Sequence, residues 1–339
     1  MTISTDAGPT TTRKDPDLPD RMRAAVITGF GEPDALHMAE VPVPVPVGAE
    51  LLVRVIAAGV NPIDAKTRAG RGAAAGLPGW PAVLGSDFSG VVMRAPYESF
   101  PLQPGDEVYG VTGVPRGGGS LAEYVAAPAW GLARKPRTLS HVEAAGVPLA
   151  ALTAWGAVVE QAKAHEGQRI LIHAGAGGVG HFAVQFASYF GARVIATASS
   201  RNTGWLRELG AAEVIDYTRM RFEDGLDDVD AVIDLIGDAI DHTGSRSLSV
   251  LRPGGLLINV PSASWPTLAA DAAAADVRAT TFRMIADAQT LAVISRLITS
   301  GDVRVNVDEV FPLEEAGMAH RRLEEGHVRG KLVVQIAEY

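Results

Sequence analysis

The pattern of apolar and polar positions changes twice along the chain. From Met22 to about residue 140, short β-rich runs alternate with Pro and Gly: RAAVITGF, ELLVRVIAAGV, DFSGVVMRA and DEVYGVT. Runs bounded in this way predict an irregular, mostly antiparallel β region. VPVPVPV (41–47) differs, because each proline removes a ladder donor; it predicts an extended edge or a connection. From about 144 to 281 strands and helices alternate. QRILIHAG (168–175) predicts a buried strand. In GVGHFAVQFASYFG, Val179, Phe182, Ala183, Phe186, Ala187 and Phe190 recur at helical spacing, and Gly191 is placed to end the helix. ARVIATA, AEVIDY, VDAVIDLIG and GGLLINV predict further strands, and TGWLRELG a short helix closed by Gly210. Short buried strands joined by helices imply a parallel, doubly wound sheet with its ligand edge at the strand C-termini. From 282 to 339, a helix, a strand, a helix and a strand follow, and these return to the first region. The predicted organisation is an N-terminal extension (1–20), a β domain (21–143 with 282–339) and an α/β domain (144–281).

Composition adds exclusions. A chain of 339 residues is long enough for two domains. Hydrophobic residues at 47% and charged residues at 20% suit a packed chain, not a disordered one. A net charge of −9 without any Lys/Arg run argues against a nucleic-acid partner. No segment has the apolar length of a membrane span; LAADAAAADVRA is interrupted by Asp271, Asp276 and Arg278. The chain has no Cys, which removes disulfides, iron–sulfur clusters and Cys-ligated zinc. The polar N-terminus lacks a signal-peptide core, so a cytoplasmic location is expected.

The sharpest chemical signal is GAGGVG (175–180), set between a predicted strand and an amphipathic helix. Gly175, Gly177 and Gly180 hold the G-x-G-x-x-G register, with Gly178 and Val179 between them. Glycines there allow a tight turn, close approach to a diphosphate and close helix–strand packing. The helix N-terminus adds free N–H groups and a positive dipole end. A turn without a ligand is the plainer reading, and the strand–turn–helix context favours a dinucleotide. About twenty residues on, an acid usually holds the ribose diol. Here Ser199, Ser200 and Arg201 stand instead. Hydroxyls and a guanidinium suit a 2′-phosphate, which an acid would repel. The stretch predicts NADPH over NADH. A helix cap from Asn202 or Thr203 is compatible with that role.

Further motifs appear in one order: MRAAVITGFGEPDAL, GVNPIDAKTRAG, PAVLGSDFSGVV, PGDEVYG, GSLAEYV, AAGVPLAALTAW, HAGAGGVGHFAVQFA and GHVRGKLVV. From Met22 to Tyr339 the chain resembles the medium-chain dehydrogenase/reductase superfamily, in its zinc-independent, zeta-crystallin-like quinone oxidoreductase branch. The resemblance implies an α/β protein with two domains. One is a GroES-like, mostly antiparallel β catalytic domain; the other is a doubly wound parallel-sheet Rossmann cofactor domain. It also implies an active site in the cleft between them and a homodimer paired through edge strands. Zinc-dependent relatives carry an early Cys and a Gly-His-Glu triplet. Here the triplet is Gly85-Ser86-Asp87, and serine is a poor zinc ligand. Without a Lewis acid, simple alcohol oxidation is disfavoured, whereas a conjugated acceptor delocalises its own developing charge. The implied activity is metal-free, NADPH-dependent reduction of small quinones or α,β-unsaturated carbonyl compounds. Two alternatives stay open: an enoyl thioester reductase of lipid or polyketide metabolism, and an NADPH-binding protein with little turnover. Mitochondrial-type enoyl thioester reductases carry a Tyr soon after Asn-Pro-x-Asp. Here Arg71 follows Gly70, and RGAAAGLPGW has no Tyr.

The resemblance also nominates residues. Asn61 and Asp64 would lie near the nicotinamide, with Asn61 donating to a substrate oxygen. Lys66 is a candidate charge or proton source; an ordinary turn around Pro62 is the alternative for this segment. Thr153 resembles a residue beside the nicotinamide ring, and Tyr217 one near the adenosine. DLIG (234–237) and NVPS (259–262) end strands at the ligand edge, which nominates Ile236, Asn259 and Val260. Lys331 in RGKLVV is a candidate to reach the cleft, with a surface lysine as the alternative. His173, just before the glycine turn, reads as packed rather than catalytic.

Overall fold

The computed structural model describes residues 18–113, 115–239 and 241–339. The extension expected at 1–20 lies, through residue 17, outside them. The first part contains β1 (Arg21–Ile27), β2 (His37–Pro42), β3 (Glu50–Gly59), α1 (Pro62–Arg68), β4 (Ala82–Val83), β5 (Asp87–Arg94), β6 (Glu107–Val111), β7 (Tyr124–Pro128) and β8 (Leu132–Arg134). The middle contains α2 (His141–Ala145), α3 (Pro148–Trp155), β9 (Arg169–Ile172), α4 (Gly180–Tyr189), β10 (Arg193–Ala198), α5 (Thr203–Glu208) and β11 (Glu213–Asp216). It continues through β12 (Val229–Asp234), α6 (Thr243–Ser247), β13 (Leu251–Asn259), α7 (Leu268–Ala274) and β14 (Arg278–Thr281). The chain ends with α8 (Ala288–Ser300), β15 (Val307–Pro312), α9 (Ala316–Glu324) and β16 (Lys331–Gln335).

Strands β9 to β14 form one parallel sheet in the order β11-β10-β9-β12-β13-β14. The chain runs outward from β9 to β11, then crosses back to β12 on the other side. That reversal opens a crevice at the C-terminal ends of β9 and β12, where open α/β sheets bind ligands. Ile170, Leu171 and Ile172 of β9 are fully buried, as a central strand covered on both faces requires. Phe182, Ala183, Phe186 and Ala187 of the predicted stripe are buried in α4, and so are His181, Val184 and Gln185, so this helix is covered on nearly every side rather than on one face. Gly191 follows at φ 85°, a left-handed exit that suits glycine.

The other large sheet has the order β15-β16-β3-β5-β6-β8, with β7 also on β3. Its pairs are antiparallel except β15–β16. A third sheet, β2-β1-β4, puts the start of the Val-Pro run on its edge, where a lost N–H costs no ladder bond. Residues far apart in sequence therefore share one sheet: β16 lies directly against β3. Among the described residues no helix is long and apolar enough to cross a membrane.

Burial of ionisable groups makes the fold sensitive to acid. His141, His173, His181 and His320 are buried, and desolvation pushes them from 6.5 down to about 4, 3, 4 and 3. Between those values and 6.5 the unfolded chain binds more protons, so each histidine removes stability as pH falls, by about 1.4 kcal/mol per pH unit. Buried Asp64 and Asp87 are raised by desolvation to about 7 and 6, and act in the opposite sense. Four histidines outweigh two carboxylates. Thermal denaturation should give a lower Tm at pH 5 than at pH 7; an equal or higher Tm at pH 5 would refute this balance.

Candidate functional site

The glycine turn leaves β9 and enters α4. Its tightness is visible at Gly180, where a β-carbon would lie 2.2 Å from the Ala174 carbonyl oxygen. A β-carbon on Gly178 would meet the Lys331 side chain at 3.0 Å, so that side chain passes directly over the turn. Gly177, Gly178, Val179 and Gly180 line a cavity of about 330 Å³ in the cleft between the two large sheets. The first N–H groups of a helix have no partner within it, so this wall offers donors to an anion. The glycines supply bare backbone there, and the fit to a dinucleotide diphosphate is good.

The opposite wall is built from α1 and β16. Asn61 precedes α1, and its N–H donates to Oδ2 of Asp64 at 3.0 Å, which fixes the start of the helix. Its side chain is turned inward. Nδ2 donates to Oδ2 of Asp87 at 2.9 Å and approaches the Gly59 carbonyl at 3.4 Å. Oδ1 accepts from the Lys331 ammonium at 2.5 Å. Lys331 also donates to the Val60 carbonyl at 2.8 Å and stands 3.8 Å from Asp87. Asp87 Oδ1 accepts the Leu149 N–H at 2.8 Å. Ser86 donates to Oδ1 of Asp64 at 2.6 Å. Desolvation lowers Lys331 from its ordinary value, while both nearby carboxylates partly hold it charged.

The nominated residues divide between those at the cavity and those behind it. Asn61, Gly177, Gly178, Val179, Gly180, Ser199, Arg201, Tyr217 and Lys331 all line it. Asp64 lies one hydrogen bond behind Asn61. Gly175 supports the turn from below, donating to the Thr197 carbonyl at 3.0 Å. Thr153 gives its hydroxyl proton to the Leu149 carbonyl within α3, at 2.6 Å. Ser200 donates to Asp216, not toward the cavity. The Ile236 N–H is taken by Asp234 at 2.9 Å, the Val260 N–H by the Asp234 carbonyl at 3.0 Å, and the Asn259 side-chain Oδ1 by Ser264 at 3.1 Å. Lys66, half-buried on α1, is not among the lining residues.

Two sequence expectations change. The sequence predicts Asn61 as a donor to substrate, whereas its amide hydrogens face Asp87 and Gly59. Asn202 precedes α5 without a side-chain cap; its side-chain Oδ1 instead accepts from Arg329 at 3.1 Å. Two features escaped the sequence reading. Asp87 is one, although a charged residue inside the apolar run VLGSDFSGVV is a legible signal. The other is the segment 326–330, which crosses the ligand edge. There Arg201 donates to the His327 carbonyl and the Gly330 N–H to the Ala176 carbonyl. Arg329 sits over the Trp205 ring at 4.8 Å.

Comparison with known proteins fits this architecture. The family described as zinc-binding dehydrogenase matches residues 209–334, and the alcohol dehydrogenase GroES-like domain matches residues 48–137. The 2-methylene-furan-3-one reductase of Solanum lycopersicum is 33% identical, over 98% of this chain and 84% of its own length. The NADPH-dependent alkenal/one oxidoreductase of Arabidopsis thaliana, a chloroplastic protein, is 34% identical, over 94% of this chain and 81% of its own. The solved quinone oxidoreductase of Coxiella burnetii superposes with a TM-score of 0.88 at 38% identity, covering 94% of this chain and all of that one. The chain belongs to the medium-chain dehydrogenase/reductase superfamily, in its quinone and enone reductase branch.

Proposed function

We propose that this protein is an NADPH-dependent reductase, working without zinc, that delivers hydride to quinones or α,β-unsaturated carbonyl compounds. The observation that carries the proposal is the cavity itself: a bare glycine turn on one wall and the Asn61–Lys331–Asp87 cluster on the other. When bound, NADPH supplies the hydride. Gly177, Gly178 and Gly180 would hold its diphosphate, and Ser199, Arg201 and Tyr217 its adenosine 2′-phosphate end. Lys331 is the buried cation of the cleft. It offsets the charge of a diphosphate at the turn and the negative charge that grows on an acceptor oxygen. Asn61 and Asp87 position Lys331, and Asp64 positions Asn61. Val60, Leu149, Leu235 and Leu332 give the cavity an apolar wall that excludes water and suits a conjugated acceptor.

Zinc independence rests on the donor set. The chain has no Cys, and the Ser86 hydroxyl is engaged by Asp64. Among the described residues no group of three His, Asp or Glu side chains is placed to hold a metal. A conjugated acceptor needs no Lewis acid in the way a plain carbonyl does. The proposal extends to a homodimer joined through β14, the outer strand of the parallel sheet, whose far edge pairs with no described strand.

Three measurements test this reading. A panel of quinones, enones and enoyl thioesters should consume NADPH fastest with the first two classes, and a zinc chelator should leave the rate unchanged. NADPH binding without turnover on any of them would reduce the protein to a cofactor binder. Arg201→Ala should raise the KM for NADPH about tenfold, the worth of one charge-assisted hydrogen bond, and leave NADH almost unaffected. Equal losses for both cofactors would remove Arg201 from the 2′-phosphate site. Lys331→Met leaves Asp87 without its cation and should cost about 3–5 kcal/mol in denaturant unfolding. Adding Asp87→Asn to Lys331→Met should recover part of that loss; no recovery would mean that the pair is not coupled.

A further inference from the structure

The glycine turn is entered through Ala174, whose backbone is unusual. Its φ is 50°, a left-handed value that a residue with a β-carbon keeps only when its surroundings impose it. Thr197, at the end of β10, imposes it. Its Oγ1 accepts the Ala174 N–H at 3.2 Å, and its carbonyl accepts the Gly175 N–H at 3.0 Å. Ala174 and Thr197 both line the cavity. A hydroxyl has one proton and two lone pairs, so an acceptor that holds the proton fixes the rotor with a lone pair turned to Ala174.

His173 holds it. Nδ1 of the ring is 3.1 Å from Thr197 Oγ1, and Nε2 is 2.8 Å from Ser247 Oγ. The direction of both bonds follows from the far end. Ser247 gives its only proton to the Thr243 carbonyl at 2.6 Å, and a carbonyl can only accept. Nε2 must therefore carry the ring proton and donate it to Ser247. Burial pushes the ring's pKa down to about 3, so it is neutral and Nδ1 is bare. Nδ1 then accepts from Thr197. The relay has one polarity throughout: Ala174 N–H to Thr197, Thr197 O–H to His173, His173 N–H to Ser247, Ser247 O–H to Thr243. The ring edge-packs on Phe222, 4.7 Å between centroids, which limits its rotation.

We propose that His173 is a positioning residue for the cofactor: held as its Nε2–H tautomer by Ser247, it aims the Thr197 hydroxyl and so keeps the glycine turn in the conformation that receives a diphosphate. His173 itself meets no ligand, being fully buried behind the turn. A residue that merely filled space would support the fold as a whole; this one acts on one wall of the cavity. The inference rests on the reading that the dinucleotide seats at the glycine turn.

The test is NADPH titration by fluorescence, with acceptor KM and kcat measured at saturating NADPH. Thr197→Val removes the hydroxyl and keeps the shape. His173→Leu removes both ring nitrogens, whereas His173→Asn retains an oxygen that can accept from Thr197. The Kd for NADPH should rise about tenfold in Thr197→Val and in His173→Leu, the loss of one buried hydrogen bond. Acceptor KM should move less than about twofold, since the opposite wall is untouched. The double variant should be no worse than either single one, because both cut the same relay. His173→Asn should fall nearer to the unmodified protein than His173→Leu. The inference is overturned if His173→Leu, folded by circular dichroism, binds NADPH normally, or if acceptor KM rises as much as Kd. Should His173→Leu not fold, normal NADPH binding by Thr197→Val overturns it alone. Gly177→Val separates the two levels. Intact NADPH binding in that variant would place the cofactor elsewhere and sink both readings. Lost binding there, with normal Thr197→Val and His173→Leu, would sink the relay only.

Discussion

An ammonium group withdrawn from water persists only beside acceptors that replace its hydration. Lys331 meets that requirement with the Val60 carbonyl, the Asn61 amide and the Asp87 carboxylate. Those partners come from the end of β3, the entry to α1 and the start of β5. The cluster therefore cannot assemble before β16 has docked against β3. Once docked, it determines where the last part of the chain crosses the C-terminal edge of the parallel sheet. The Lys331 stem passes over Gly178, and the Gly330 N–H bonds the Ala176 carbonyl within the glycine turn. One buried charge thus fixes both walls of the cleft relative to each other.

The two sheets divide the work by the chemistry of their strands. The parallel sheet presents strand ends, a helix N-terminus and main-chain N–H groups, which suit an anion regardless of side chain. The antiparallel sheet presents side chains, and here it supplies the buried Lys331, its counter-ions and much of the apolar wall. Arg201 and Arg329 sit where the two meet, held to the crossing segment and to Trp205. The geometry asks for little movement of the main chain to form a site, because the turn and its supports are already hydrogen-bonded.

Much of the fold was legible because its signals are local. Alternation of short apolar runs with helical stripes marks a parallel sheet, and α4 forms where the stripe predicts it, although packing covers Val184 and Gln185 as well. The glycine register marks the turn, since only a missing β-carbon permits the Gly180–Ala174 approach. Asn61 and Lys331 were nominated and do line the cavity, but their pairing was not legible across 270 positions. Asn61 as a substrate donor failed for the same reason: what an amide offers depends on which acceptors lie next to it. Ser200 and Asn202 likewise have partners, Asp216 and Arg329, that belong to other elements.

By itself the sequence determined the elements, the fold class and the glycine turn, and it nominated the Ser199–Arg201 corner that lines the cavity. Each of these follows from backbone geometry or side-chain chemistry within a few tens of residues. Only the tertiary structure decided which proton goes where. It turned Asn61 inward to Asp87, gave Lys331 its acceptors, and set the His173 ring in one tautomer between Thr197 and Ser247. The physical reason is that burial makes every polar atom find a partner, and the partner is chosen by packing between strands and helices that the sequence holds far apart.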